Sequence, residues 1–151
     1  MFAGAPVLIS DLLNNVKKAY IDRQTAQGIR SSGKSAASLR TESDSDSGTL
    51  YGSHYFYQQK QGRKPGKFPP IEDILDWIRA KGIRPKDKIS ERSLAFLIAR
   101  KIAKSGTDVF QGRREGLDVD EQVKQLVEQF KKDLVKAGRK EIVKQIKTAA
   151  L

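Results

Sequence analysis

A chain of 151 residues has room for one ordinary hydrophobic core. With 38% apolar and 31% charged residues that core is lean, which suits helices with broad solvated faces better than a deeply buried parallel sheet. A net charge of +11 points to phosphates or acidic protein surfaces as partners, and the absence of cysteine excludes disulfide and thiol chemistry.

The opening "MFAGAPVLIS" has no basic segment before its apolar run, which breaks at Asp11, so it does not read as a signal peptide. No stretch approaches the roughly 18 apolar residues of a membrane span. The expectation is a soluble chain made in a cytoplasm, with no membrane contact. Leu8, Leu12, Leu13, Val16 and Tyr20 recur at helical spacing and predict a helix over 6–27, ended by Gly28. The Ser-, Gly- and Asp-rich stretch that follows fits two short strands, 36–42 and 48–52, joined by the "SDSDS" turn. A polar hairpin of this kind is marginal alone and needs a helix or another chain to lie on. Residues 55–61 fit a turn or two of helix.

Further on the helix signals sharpen. In "FPPIEDILDWIRAKGI" Pro70 suits a first helical turn, Ile71, Ile74, Leu75 and Ile78 form one face, and Gly82 stops the helix. In "SERSLAFLIARKIAKSG" Ser90 is the N-cap, Leu94, Leu97, Ile98 and Ile102 form a stripe, and Gly106 closes it. Lys101 and Lys104 suit its C-terminal dipole. "GTDVFQGRREG" is a loop. Val119, Val123, Leu126, Val127, Phe130 and Leu134 then predict a long amphipathic helix over 118–148, bent or interrupted near Gly138. The expected class is α+β and mostly helical. A small antiparallel β hairpin or sheet packs on a long N-terminal helix, and a long amphipathic helix ends the chain. Residues 1–151 form a single domain with flexible loops near 40–50 and 105–117.

Candidate chemistry is sparse. "GIRSSGKS", residues 28–35, fits the phosphate-loop pattern letter for letter. Such a loop works when a buried strand delivers it and a helix begins at its lysine, whereas the segment before it here is the tail of an amphipathic helix. A turn after a helix accounts for it. His54 is the only histidine, and its neighbours Tyr51, Tyr55 and Tyr57 suggest packing. Glu72, Asp73 and Asp76 lie in the first turns of a helix, where its dipole favours carboxylates. Neither a catalytic set, a metal site nor a cofactor site is indicated, and the expectation is a non-enzymatic protein without a small-molecule substrate.

One stretch remains: "YFYQQKQGRKPGKFPP", residues 55–70, rich in aromatics, cations and proline and free of carboxylates. Lys60, Arg63, Lys64 and Lys67 beside Tyr55, Phe56 and Tyr57 would combine phosphate contacts with base stacking, which makes a basic DNA-binding module the alternative reading. The structural reading is a strap whose aromatics dock on the core while "FPP" stiffens the entry to the next helix. The strap with the following "SLAFLIARKIAKSGTDVF" resembles tailed-phage virion-morphogenesis proteins, the tail-completion or neck proteins of the HK97 gp10-like family. The likeness covers about residues 50–110 and rests on Gly62, Arg63, Pro65, Gly66, Pro69, Pro70, Ile71, Trp77, Ile78, Lys81 and Gly82. It continues through Ser93, Leu94, Ala95, Gly106 and Thr107.

The resemblance implies a virion structural protein, assembled in the bacterial host cytoplasm. It would form a homo-oligomeric ring at the neck or the head-proximal end of the tail and join head-side portal or adaptor proteins to tail subunits. Tyr55, Tyr57, Arg63, Lys64, Phe110, Arg113 and Arg114 are the candidate interface residues. Non-specific contact with genomic DNA is a further expectation from the charge, and the loops at either end of this region are expected to order on assembly.

Overall fold

The computed structural model describes residues 4–29, 32–86 and 88–149. The chain runs α1 (Ala5–Ala26), α2 (Lys34–Ala37), β1 (Arg40–Ser43), β2 (Gly48–Tyr51), α3 (Tyr55–Gln61), α4 (Ile71–Ala80), α5 (Glu91–Ser105) and α6 (Asp120–Ala149). The architecture is α+β and mostly helical, with a two-stranded antiparallel sheet and a long C-terminal helix, as the sequence implies.

α1 begins with a proline in its first turn and buries Ala5, Ile9 and Leu13 at a spacing of four, one line along the helix. It ends in a Schellman motif: Gly28 takes φ +62°, Ile29 N–H donates to Gln24 O and Gly28 N–H to Thr25 O. α4 ends the same way, with Gly82 at φ +65°, Ile83 N–H on Ile78 O and Gly82 N–H on Arg79 O. Each stop is thus a glycine in the left-handed region followed by isoleucine.

α4 and α5 pack on each other around Ile74, Leu75, Ile78, Ala95 and Ala99, with Ile71, Ile83, Leu94, Ile98 and Ile102 around that centre. The pattern on α5 differs in one place from the expected stripe. Leu97 faces out, 49% exposed, and the buried line is Ala95 and Ala99, whose small side chains let the two helices approach closely. Ser90 caps α5, its hydroxyl accepting Ser93 N–H at 3.0 Å.

The hairpin pairs Arg40 with Tyr51 and Ser43 with Gly48. Its first strand is shorter than expected. Ala36 and Ala37 belong to the helical turn α2, where Ala36 is buried, and β structure starts only at Arg40. The hairpin lies flat on α1, since a Cβ at Gly48 would stand 2.7 Å from both Ile9 Cγ2 and Leu13 Cδ1. Glycine is what lets strand backbone touch helix side chains there. Asp44 organises the turn, its carboxylate accepting Asp46 N–H, Ser47 N–H and the Ser47 hydroxyl. Those bonds, the Asp46 backbone one foremost, lower its pKa to about 2. Segment 40–50 is the expected hairpin with an Asx-type turn at its tip.

α6 packs along α1, with Val123, Leu126, Val127, Phe130 and Leu134 half-buried. It runs through Gly138 without the expected interruption, because neighbouring helical residues hold the glycine in register despite its poor intrinsic propensity. Its start is Asp120, two residues later than expected, with Asp118 Oδ1 accepting Asp120 N–H at 3.0 Å.

Candidate interaction surface

The strap, residues 55–70, is where the two halves of the fold are fastened. α3 sets Phe56 edge-on against Tyr20 of α1, ring centroids 5.7 Å apart, and aims the Tyr55 hydroxyl at Asp73 of α4, to which it donates at 3.0 Å. That bond to a carboxylate raises the Tyr55 pKa, because ionising the phenol would lose the donor and add a like charge. Gln59 O accepts Leu117 N–H at 2.8 Å, and Lys60 reaches Asp120 at the start of α6, at 2.6 Å. The Asp120 hydrogen bond likewise raises the Lys60 pKa.

The centre of the knot is a crossing of "QGRKPG" and "KSGTDVF". Arg63 N–H donates to the Thr107 hydroxyl at 2.9 Å and Thr107 N–H donates back to Arg63 O at 2.9 Å. Gly66 N–H reaches Ala103 O at 2.8 Å. Gly62 and Gly106 end α3 and α5 in nearly the same conformation, φ +75° and +77° with ψ near 180°. Each also faces the other segment: a Cβ on Gly62 would lie 2.3 Å from Phe110 N, and one on Gly106 2.8 Å from Arg63 O. A third close approach closes the loop, since a Cβ on Gly116 would lie 2.0 Å from Lys60 O.

Loop 106–119 is tied on its other side to the end of α1. Arg114 Nη2 donates to Gln27 O at 2.7 Å, and Gln27 Nε2 donates to Gly116 O at 3.2 Å. Gln111 Nε2 donates to Ser105 O. These bonds fasten within one chain a segment that the sequence suggests would order on assembly. Gln24 of α1 is almost fully buried, its amide donating to Gln59 Oε1 at 2.7 Å and Ser35 Oγ at 3.2 Å.

The candidate interface residues are thereby sorted. Arg63 and Phe110 meet through Thr107, whose hydroxyl accepts from both backbone amides. Arg114 fixes α1, Tyr55 fixes α4, and Tyr57 projects outward, 74% exposed. Lys64 and Arg113 are exposed, and neither has an ion-pair partner among the described residues.

Sequence periodicity did not single out three features. The first is Gln24, whose burial has no sequence signal. The second is the Phe68–Phe96 pair, rings 5.5 Å apart and both about half-exposed. The third is a set of outward apolar residues on α6, Val135, Ile142, Val143 and Ile146, exposed by 53, 58, 50 and 63%. Their spacing is legible in the sequence, but out of phase with the α1-facing set.

The phosphate-loop look-alike sits between α1 and the four-residue α2, with no strand delivering it; Arg30 and Ser31 within it lie outside the described residues. Lys34 stands 3.6 Å from Asp76. Among the described residues no cluster of His, Cys, Asp and Glu is placed to hold a metal ion, and no helix is long and apolar enough to cross a membrane. The chain matches no family model, no curated protein and no solved structure.

Proposed function

We propose that this chain is a structural subunit of a tailed-phage virion. It forms a ring at the neck or the head-proximal end of the tail and joins head-side adaptors to tail subunits, without catalysing a reaction. The observation that carries the reading is the knot. Gly62, Arg63, Gly66, Gly106 and Thr107, which carry the resemblance to virion-morphogenesis proteins, all serve the crossing of the strap with the loop after α5. In this fold they fasten the strap to the loop after α5, and a ring subunit needs such a fixed crossing. Large apolar side chains exposed on α1, α5 and α6 (Val7, Phe96, Leu97, Ile142) supply surface for neighbours on several sides, and among the described residues neither outer edge of the two-stranded sheet pairs with a further strand. A head-to-tail contact between copies closes into a ring when its rotation divides the circle.

The test is direct: electron microscopy and sedimentation velocity of the purified full-length protein, and mass spectrometry of purified virions. Rings, and the protein's presence in virions, are expected. A monomer at high concentration that is also missing from virions overturns the reading. The exposed Phe68–Phe96 pair beside Lys67 and Arg100, on a chain of net charge +11, favours a second reading as a basic DNA-binding module. Tight binding to mixed-sequence DNA near physiological salt, falling steeply as salt rises, would select that reading.

A further inference from the structure

α6 carries a second apolar seam that is left exposed among the described residues. The first seam, Val123 to Leu134, faces α1. The second consists of Val135, Ile142 and Ile146, spaced by seven and four, with Arg139 completing the alternating four-and-three spacing of a coiled-coil seam. At 3.6 residues per turn this line lies about 130° around the helix from the α1-facing residues. Between 131 and 147 there are seven cations and two carboxylates, and Lys132, Lys136, Lys140 and Lys147 run down one side of the seam. Among the described residues the only ion pair in this stretch is Lys131 with Glu128; Asp133 and Glu141 are engaged by the amides of Gln129 and Gln145.

We infer that the α6 seam formed by Val135, Arg139, Ile142 and Ile146 docks an acidic amphipathic helix of a different protein. Three observations select that occupant. The exposed apolar residues here, Val135, Ile142, Val143 and Ile146, are all β-branched and suit helix-on-helix packing, whereas a helix lying in a lipid surface usually presents Trp, Phe or Leu. Phosphates alone would leave the isoleucines uncovered. A second copy of this chain is disfavoured by charge. A parallel pair would set Lys131 against Lys136 of the other copy and Arg139 against Arg139, and either orientation brings two cationic segments together. Glutamates flanking an apolar stripe would instead meet Lys132, Lys136 and Arg139, and their complementarity would set register and speed encounter. The inference goes beyond the ring reading and does not depend on it.

The test titrates the full-length protein into labelled synthetic amphipathic helices that share one Leu/Ile seam and carry either Glu or Lys on the flanking positions. Phosphatidylserine vesicles and duplex DNA serve as competing probes. Saturable binding of the Glu peptide and none of the Lys peptide is expected. Ile142→Gln with Ile146→Gln should weaken the Glu peptide by about tenfold or more, equivalent to about 1.4 kcal/mol. Leu97→Gln, on the outer face of α5, should leave it unchanged. Lys136→Glu with Arg139→Glu should transfer preference to the Lys peptide, a gain that loss of folding cannot mimic. The inference is overturned by equal binding of both peptides, by indifference to the isoleucine pair, or by tighter isoleucine-dependent binding to vesicles, to DNA or to a second copy. Rings that persist in the isoleucine variant would place the self-contact elsewhere, so a failed titration would leave the ring reading standing.

Discussion

Replacing Gly62 by alanine probes the knot most directly. Gly62 sits at φ +75° with ψ near 180°, a region that L side chains rarely enter, and the strain of holding a Cβ there is about 1–3 kcal/mol. The new methyl would also stand 2.3 Å from Phe110 N and 2.7 Å from Thr107 Oγ1, so the strap must lift away from the loop. Lifting strains or breaks the reciprocal Arg63–Thr107 hydrogen bonds, about 0.5–1.5 kcal/mol each. Together the loss is about 2–6 kcal/mol, a large share of the roughly 5–15 kcal/mol that holds a domain folded. Gly112 is the internal control. It has φ +69° but open space where a Cβ would go, so Gly112→Ala should cost only the backbone term, about 1–2 kcal/mol. Urea unfolding followed by far-ultraviolet circular dichroism and by the fluorescence of Trp77, the single tryptophan, measures both variants. If Gly62→Ala is no more destabilising than Gly112→Ala, the crossing is not the fastening described above.

The two leucine-like positions on α4 and α5 should behave oppositely. Ile78→Ala, at a fully buried site, should lose about 2–5 kcal/mol, while Leu97→Ala should stay within about 0.5 kcal/mol of the parent by the same urea assay. Ser90→Ala removes the cap on α5 and should cost about 1 kcal/mol, with Ser90→Gly restoring most of it. Asp44 gives a pH signature. Its folded pKa is depressed from 3.8 to about 2, so its contribution to the hairpin is complete above pH 3.8 and is lost as pH falls toward 2. A carboxyl-detected NMR titration should place the Asp44 midpoint near 2, and a midpoint near 3.8 would remove the hydrogen-bonded turn from the account.

Local physics made most of the helices readable. The starts of α1, α4 and α5 follow from Pro6, Pro70 and Ser90, and the stops of α1, α3, α4 and α5 from Gly28, Gly62, Gly82 and Gly106, residues that impose or forbid conformations within one turn of themselves. The departures at Ala36 and Leu97 come from tertiary burial and packing. Ala36 reads as a strand residue until its burial in the turn of α2 is seen. Leu97 reads as core until Ala95 and Ala99 are found carrying the α4 contact. Gly138 reads as a break, yet the helix passes through it. Of the candidate interface residues, the sequence marked the right segment but not the roles. Arg63 and Arg114 owe theirs to hydrogen bonds with Thr107 and Gln27, far away in the chain, which leave no periodic trace.

The sequence by itself determined the helical frame, the small polar hairpin, the basic charge and the strap motif, because these depend on neighbours within a few residues. Only the tertiary structure decided that the strap crosses the loop after α5 and that Gly62, Gly106 and Gly116 are required by backbone from elsewhere. It also separated the covered face of α6 from the exposed one. Periodicity shows that a helix has apolar residues, but what stands opposite them is set by long-range packing.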